Sequence, residues 1–169
     1  SRLAGFLGAE AGELALMRGV SEAFQTVIRG IDWKPGDRIV ISADEEAALL
    51  LPCLHLRDCR GVEVVKVPLH HDEQGAVEAV VARLDARTRL LALSHVTTDV
   101  GYRFPAQALC AAARQQGVWS FLDMAHSAGL MPLDLHDLGC DFAGLLSYKW
   151  MYAPYASGAL YVRQDLVSQ

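Results

Sequence analysis

The sequence predicts an α/β fold, specifically a three-layer α/β/α sandwich around a mostly parallel sheet. Short apolar runs rich in Val, Ile and Leu alternate with segments of helical spacing, and glycine or proline marks the joints between them. Strands that are apolar along their whole length are typical of a sheet with helices on both faces. The 169 residues suit one domain of ordinary size, and no repeat or linker divides them. We therefore expect a single α/β domain over 1–169.

The apolar runs predict seven buried strands, and the helical segments predict the layers that cover them. The strands are expected over 14–17, 38–42, 62–67, 89–94, 118–123, 142–147 and 158–162. The helices are expected over 21–30, 45–56, 76–84 and 105–116, with a further helix-like segment over 2–7. The last two runs have no helix between them, so we expect a hairpin with an antiparallel strand there.

Composition and charge argue against several classes of function. A hydrophobic content of 52% is incompatible with a disordered or collagen-like chain, and the net charge of −5 comes with basic residues scattered singly. Without a polybasic patch, neither nucleic acid nor an anionic membrane surface is an expected partner. The apolar stretch 47–54 is far too short to cross a bilayer. A cytoplasmic protein is therefore expected.

The cysteines predict no metal site. None belongs to a CxxC pair, and none is spaced from a histidine as zinc ligands are. In an apolar chain of this kind we expect them to be reduced and mostly packed in the core. They are Cys53, Cys59, Cys110 and Cys140.

A candidate anion site follows the first predicted strand. In an open parallel sheet, ligands bind at the carboxyl ends of the strands. Gly19, Val20 and Ser21 form a glycine turn that opens a helix with a serine cap. The free N–H groups and the dipole of such a helix start suit a phosphate. An ordinary helix cap has the same sequence, so this motif alone leaves both interpretations open.

Two further strand ends carry ionisable side chains. Asp123 ends the fifth predicted strand, with His126 three residues later. A carboxylate there is costly unless a cation or a donor meets it, although it also suits a helix cap. Lys149 follows the sixth strand between Tyr148 and Trp150. It is either a lysine that extends from the sheet edge to solvent or a desolvated amine suited to Schiff-base formation.

Together these features predict a pyridoxal phosphate site. The helix start, Asp123, His126 and Lys149 all fall on one edge of one sheet. The helix start would take the phosphate, Asp123 would keep the ring nitrogen protonated, and Lys149 would form the Schiff base. A nucleotide-binding Rossmann domain is a weaker alternative, because no GxGxxG follows any strand.

The sequence also resembles the class V aminotransferase superfamily of fold type I pyridoxal phosphate enzymes. The resemblance runs from Gly12 to Arg163 and is closest to isopenicillin N epimerases, cysteine desulfurases and cysteine C–S lyases. The matching motifs are Ser94-His95-Val96, Leu122-Asp123-Met124-Ala125-His126-Ser127-Ala128-Gly129, Pro132-Leu133-Asp134-Leu135, Leu138-Gly139-Cys140-Asp141-Phe142, Lys149-Trp150 and Gly158-Ala159-Leu160-Tyr161-Val162-Arg163. The separation of 26 positions between Asp123 and Lys149 is similar to the family's spacing.

The resemblance implies catalytic roles for several residues. Lys149 would be the Schiff-base lysine and the general acid and base, and Asp123 would pair with the pyridine nitrogen. His126 occupies the family's position near the cofactor O3′, and Thr98 falls beside the ring. Arg163 matches a strand-end arginine, for which we expect a structural salt bridge.

The resemblance also implies a phosphate site, with two departures from the family pattern. Val20 and Ser21, behind Gly19, match the loop that holds the phosphate. The family often has Ser or Thr three residues before the lysine as a phosphate ligand, and Leu146 stands there in this chain. The residue directly before the lysine is commonly His in the family, and here it is Tyr148. A Tyr-Lys pair also resembles kynureninase, in which the tyrosine reaches the phosphate, so Tyr148 remains a candidate phosphate ligand.

A third departure concerns the residue that stacks on the pyridine ring. The family has an aromatic residue or His there, and the matching residue of the stretch 43–47 is Glu46. Members are also much longer, and both ends of this chain look like parts of further elements. The chain is therefore expected to be the cofactor-binding large domain, without the N-terminal segment and the C-terminal small domain.

The expected activity is C–S bond cleavage on a cysteine-type amino acid, by analogy with the lyases and desulfurases of this branch. Amino-acid epimerisation and aminotransferase chemistry on the same scaffold remain alternatives. A catalytically degenerate module of a larger assembly is a further alternative, which Glu46 and Leu146 favour. The resemblance implies a homodimer.

Overall fold

Seven strands form one sheet in the computed structural model, which describes residues 2–70 and 72–168 of the predicted domain. In chain order they are β1 (Leu14–Met17), β2 (Arg38–Ser42), β3 (Glu63–Val67), β4 (Thr88–Ser94), β5 (Trp119–Asp123), β6 (Phe142–Leu146) and β7 (Gly158–Val162). Across the sheet the order is β1-β7-β6-β5-β4-β2-β3. Strands β2 to β6 pair in parallel, and β7 is antiparallel to both β6 and β1. The predicted α/β class and the antiparallel pairing of the last two strands are confirmed.

Helices cover both faces of this sheet. They are α1 (Arg2–Leu7), α2 (Val20–Gly30), α3 (Ala47–Arg60), α4 (Glu73–Val81), α5 (Ala106–Gln115) and α6 (Leu135–Leu138). Because side chains alternate along a strand, Ile39 and Ile41 of β2 pack with α2 and α3, whereas Val40 packs on the other face with α4 and α5. Helices α1 and α6 cover the continuation of that second face. The three layers that the sequence predicts are present.

Local capping moves two helices from their predicted bounds. Helix α4 begins three residues before the predicted start at 76, because Asp72 caps it and accepts the N–H of Gly75. Helix α3 begins at Ala47 rather than 45 and continues past 56, until Gly61 ends it in the left-handed conformation. Helix α6 has no predicted counterpart, since four residues are too few to show a helical period.

The two edge strands correct the prediction that all seven strands are buried. In β1, which pairs on one side only, the side chain of Leu16 is 84% exposed. At the opposite edge, β3 also leaves part of its residues exposed. An apolar run is compatible with a central or an edge position, so composition alone does not distinguish the two.

Strand β1 nevertheless ends at the same edge of the sheet as the parallel strands. Because β7 is antiparallel to both neighbours, β1 runs parallel to β6, and Met17 and Leu146 both lie opposite Gly158. A Cβ atom added at Gly158 would lie 3.1 Å from Gly19 Cα, so the three strands approach closely here. The segments that follow β1 and β6 are therefore neighbours in space.

An ion pair with one buried partner joins β5, β6 and β7 at the end of the sheet away from the carboxyl ends of the parallel strands. Arg163 Nη1 lies 2.8 Å from Oδ1 of buried Asp141. The second carboxylate oxygen accepts the N–H and the hydroxyl of Ser120 at 2.7 and 3.0 Å. The structural salt bridge predicted for Arg163 is confirmed.

The cysteines are free thiols, and three of the four are buried as predicted. Cys53, Cys110 and Cys140 lie in the core, and Cys59 is exposed. Over 2–70 and 72–168, no cluster of three or more His, Cys, Asp or Glu side chains is arranged to hold a metal ion. None of the helices described in this part of the chain is long and apolar enough to span a membrane.

Candidate active site

An open cavity of about 770 Å³ lies at the carboxyl edge of the sheet. It is bounded by the segments that follow β1, β4, β5 and β6 and by the first turns of α2. The structure brings together in it all eight residues that the sequence singles out. They are Gly19, Val20, Ser21, Thr98, Asp123, His126, Tyr148 and Lys149.

The first turn of α2 offers unpaired backbone donors to this cavity. The first N–H groups of a helix have no acceptor within the helix, and no side chain caps those of α2. Ser21 adds a hydroxyl at the same place. Arg18 lines the cavity beside it, in an ion pair with Glu22 at 3.1 Å. This end of the cavity is suited to an anion.

Asp123 is a buried carboxyl group at the end of β5, with 4% of its surface exposed. Its Oδ1 accepts the N–H of Ala125 at 2.8 Å, and no described residue donates to Oδ2. Burial raises the pKa of Asp123 to about 7, and the neighbouring Glu45 contributes to the rise, whereas Lys149 opposes it. A cationic or N–H group of a ligand would stabilise the ionised form of this side chain.

Glu45 is a second carboxyl group at this edge, and sequence reasoning missed it. Its two oxygens accept the N–H and the hydroxyl of Ser94 at 3.0 and 2.6 Å. Burial raises the pKa of Glu45, although the bonds from Ser94 and Ser42 lower it. These bonds tie the segment before α3 to the end of β4. The only available signal was an acidic residue shortly after a predicted strand.

Lys149 and His126 meet in the cavity. Lys149 Nζ lies 2.9 Å from Nε2 of His126, and the indole Nε1 of Trp150 lies 3.3 Å from Nδ1 of the same ring. Burial and the charge of Lys149 lower the pKa of His126, and Glu46 opposes this. His126 is therefore a neutral imidazole at neutral pH, next to a primary amine.

Two stacked tyrosines form another wall of the cavity. The rings of Tyr148 and Tyr155 lie 4.1 Å apart with an interplanar angle of 27°. Burial raises the pKa of Tyr148, and its bond to Tyr155 raises it further, so the Tyr148 phenol stays protonated and able to donate. Tyr155 was not predicted as a site residue, because a single tyrosine in a loop carries no pattern.

Like Tyr148, the other two residues that depart from the family pattern line the cavity. Leu146 presents an apolar surface beside Gly19, at the position where the family often has a hydroxyl. Glu46 is an exposed carboxylate immediately before α3, where the family has a flat ring. The site thus has the expected ionisable groups, but Leu146 and Glu46 line it where the family pattern has other residues.

The sheet order, the strand-end carboxyl group and the lysine after β6 define a fold type I α/β domain with a ligand site at its carboxyl edge. The family model named Aminotransferase class-V matches residues 1–169, the whole length of the sequence. The chain belongs to the class V aminotransferase family.

Individual matches include cysteine desulfurases. The chain is 34% identical over 170 residues to the cysteine desulfurase of Pectobacterium atrosepticum. This match covers 98% of the present chain and 42% of the desulfurase. The chain is also 34% identical over 162 residues to the cysteine desulfurase of Salmonella newport, with 93% and 39% covered. The chain therefore spans less than half the length of these curated relatives.

Solved structures show the same similarity. The cysteine desulfurase CsdA from Escherichia coli matches with a TM-score of 0.89 at 28% identity, over 98% of this chain and 42% of that one. The cystine C–S lyase C-DES, in complex with its reaction product cysteine persulfide, matches with a TM-score of 0.91 at 25% identity. That match covers 96% of this chain and 44% of the lyase chain.

Proposed function

We propose that the chain is the cofactor-binding large domain of a pyridoxal phosphate enzyme that cleaves the C–S bond of a cysteine-type substrate. One observation carries the proposal: Asp123, Lys149 and the uncapped start of α2 share one cavity. These groups complement the pyridine nitrogen, the aldehyde and the phosphate of the cofactor. The desulfurases and the C–S lyase among the matches support the choice of bond.

The chemistry of the cavity fits this cofactor. The first N–H groups of α2, the Ser21 hydroxyl and the Tyr148 phenol are donors for the phosphate. A protonated pyridine nitrogen next to Asp123 would offset the burial that raises the pKa of this side chain. Lys149 supplies the only amine among the residues that line the described cavity.

The proposed mechanism assigns a task to each of these side chains. Bound pyridoxal phosphate supplies an aldehyde that condenses with amines and a protonated ring that withdraws electrons from the substrate Cα. Lys149 would hold the cofactor through Nζ and, when Nζ is free, would take the proton from the substrate Cα. Asp123 would keep the ring nitrogen protonated. His126 orients Lys149 across their 2.9 Å contact. Thr98, which lines the same cavity, would contact the ring.

Cofactor binding is tested with the three lysines of the chain. Pyridoxal phosphate is added, the absorbance spectrum is recorded, and borohydride reduction followed by peptide mapping locates the label. We expect a yellow protein with the label on Lys149, and Lys149→Ala should lose both. Lys34→Ala and Lys66→Ala are matched controls that should keep both. A colourless protein would contradict the proposal and favour the degenerate module.

The choice of reaction is tested on the loaded protein with L-cysteine and L-cystine. Release of sulfur together with pyruvate or alanine supports C–S cleavage. Loss of optical activity without sulfur release would contradict it in favour of an epimerase. Formation of a keto acid that retains the sulfur would favour an aminotransferase.

We also propose a cytoplasmic homodimer. Tyr152 and Tyr155, in the loop between β6 and β7, are 86% and 79% exposed. Large exposed rings grouped near a site are typical of surfaces that another chain covers. Free cysteines fit a reducing compartment. Sedimentation equilibrium tests the dimer, and a monomer at every concentration would contradict it.

A further inference from the structure

Each nitrogen of the His126 ring has a hydrogen-bond partner, and one of these partners can act only as a donor. A neutral imidazole has one N–H donor and one acceptor nitrogen, and an indole N–H only donates. Trp150 Nε1 lies 3.3 Å from Nδ1, with its hydrogen directed at that atom. As long as this indole N–H bond is made, Nδ1 accepts and the proton of the neutral ring is on Nε2.

The Nε2 proton then faces Lys149 Nζ, which lies 2.9 Å away. Nζ accepts this proton only through the lone pair of an uncharged amine. A charged Lys149 would instead donate to Nε2 and require the ring proton on Nδ1, against the indole N–H. Because a charge-assisted hydrogen bond is stronger than a neutral one, the ammonium form overrides Trp150. The indole decides the tautomer when the lysine nitrogen is uncharged.

We propose that Trp150 is a positioning residue that holds His126 with its proton on Nε2, facing the cavity, whenever the Lys149 nitrogen is uncharged. The purpose of this arrangement rests on the proposed function, since a lysine that acts as nucleophile or base is uncharged when it does so. In that state His126 donates from Nε2 toward Lys149 and toward any ligand atom that takes its place.

The backbone around Trp150 supports a fixed indole. Gly129 has a φ of +88°, and a Cβ added there would lie 2.7 Å from the carbonyl group of Trp150. The chain after His126 thus packs directly on the backbone of Trp150. The two rings meet edge to face, with centroids 6.5 Å apart and an interplanar angle of 64°. The ionisable groups that face His126 are Lys149 and Glu46.

The test uses the full chain without cofactor, with ¹⁵N-labelled histidine. Lys149→Ala removes the competing ammonium group, and His126→Gln assigns the resonances. In the Lys149→Ala protein we expect Nε2 to show the nitrogen shift of an N–H and Nδ1 that of an acceptor. Adding Trp150→Phe keeps an aromatic ring but removes the donor. It should move the two shifts toward each other and raise the proton affinity of His126 about threefold, as expected for losing one hydrogen bond to the neutral ring.

Trp119→Phe in the same background is the matched control and should change neither quantity. If Trp150→Phe also changes neither, Trp150 only packs against His126 and the proposal is overturned. A proton on Nδ1 in the Lys149→Ala protein overturns it as well. A second measurement avoids changes at both Trp150 and Lys149: His126→Gln should shift the indole N–H resonance of Trp150, and an unchanged resonance contradicts the bond. No cofactor takes part, so these results are separate from the cofactor-binding test.

Discussion

Among the individual residues, Asp123 lies in surroundings that disfavour the ionised form of its carboxyl group. Burial raises its folded pKa to about 7, from an ordinary value of 3.8. The folded chain therefore binds this proton more tightly than the unfolded chain does. Stability linked to Asp123 is highest below pH 3.8 and is lost as the pH rises toward and through the folded value. A ligand cation beside the carboxylate would restore it.

Asp123→Asn is accordingly expected to stabilise the cofactor-free protein near pH 8 and to weaken cofactor binding. The amide still accepts the N–H of Ala125 but has no charge to bury. The gain should be on the order of a few kcal/mol near pH 8 and should disappear near pH 4. Urea unfolding at both pH values measures it, with Asp32→Asn at an exposed aspartate as the control. A variant less stable than the wild type near pH 8 would contradict this account.

Ala156 offers a second test on one residue, because its φ of +59° is in the left-handed region. A Cβ atom is disfavoured there and glycine is not, so Ala156→Gly should stabilise the protein by up to about 1 kcal/mol. Ala82 has a φ of −62°, and Ala82→Gly should instead destabilise by roughly 0.5–1 kcal/mol. Thermal unfolding of both variants compares the same substitution in the two conformations. Equal effects would show that backbone conformation does not decide the outcome.

At the scale of elements, the close approach of β7 to its neighbours depends on Gly158. A Cβ atom there would meet the backbone of Leu145 in β6 and lie 3.1 Å from Gly19 Cα. Gly158→Ala should therefore separate β7 from β6 and β1 and destabilise the protein by about 2 kcal/mol or more. It should also weaken cofactor binding, because Gly19 leads into α2.

Gly12→Ala is the control for this prediction, since an added Cβ would lie 3.8 Å from the nearest atom, an ordinary contact. Urea unfolding and cofactor titration of both variants provide the comparison. If Gly158→Ala matches Gly12→Ala in both measurements, the packing at β7 is not as tight as the backbone geometry indicates.

The elements also show what the sequence predicts and what it does not. Strand positions follow from runs of Val, Ile and Leu, and the site residues follow because strand ends share an edge of the sheet. Helix ends depend on single capping residues such as Asp72 and Gly61. The periodicity of apolar residues indicates that a helix is present but does not locate these ends. The exposure of Leu16 depends on the order of strands across the sheet. The position of Glu45 depends on a bond to Ser94, which only the folded chain brings near.

At the scale of the whole molecule, the cavity depends on the pairing of the edge strand β1 with its single neighbour, β7. Strand β1 pairs with β7 alone and is largely exposed. Amide hydrogens of β1 should therefore exchange through a partial opening that costs less free energy than the openings that expose β4 and β5. Pyridoxal phosphate should slow this exchange, because it would bind groups from both α2 and the segment after β6. Native-state hydrogen exchange with and without cofactor measures both effects, and equal protection of β1 and β5 would contradict the prediction.

The antiparallel strand between β1 and β6 also has a consequence for biosynthesis. Leu14 pairs with Tyr161, so all the strands between β1 and β7 must be made before β1 finds its partner. Closing so long a loop is a late and slow event in folding. The start of α2 and Lys149 come together only when β7 has emerged from the ribosome and inserted between the two strands. A nascent chain that lacks β7 therefore has no complete cavity, and the cofactor would bind only chains in which β7 has been made and paired.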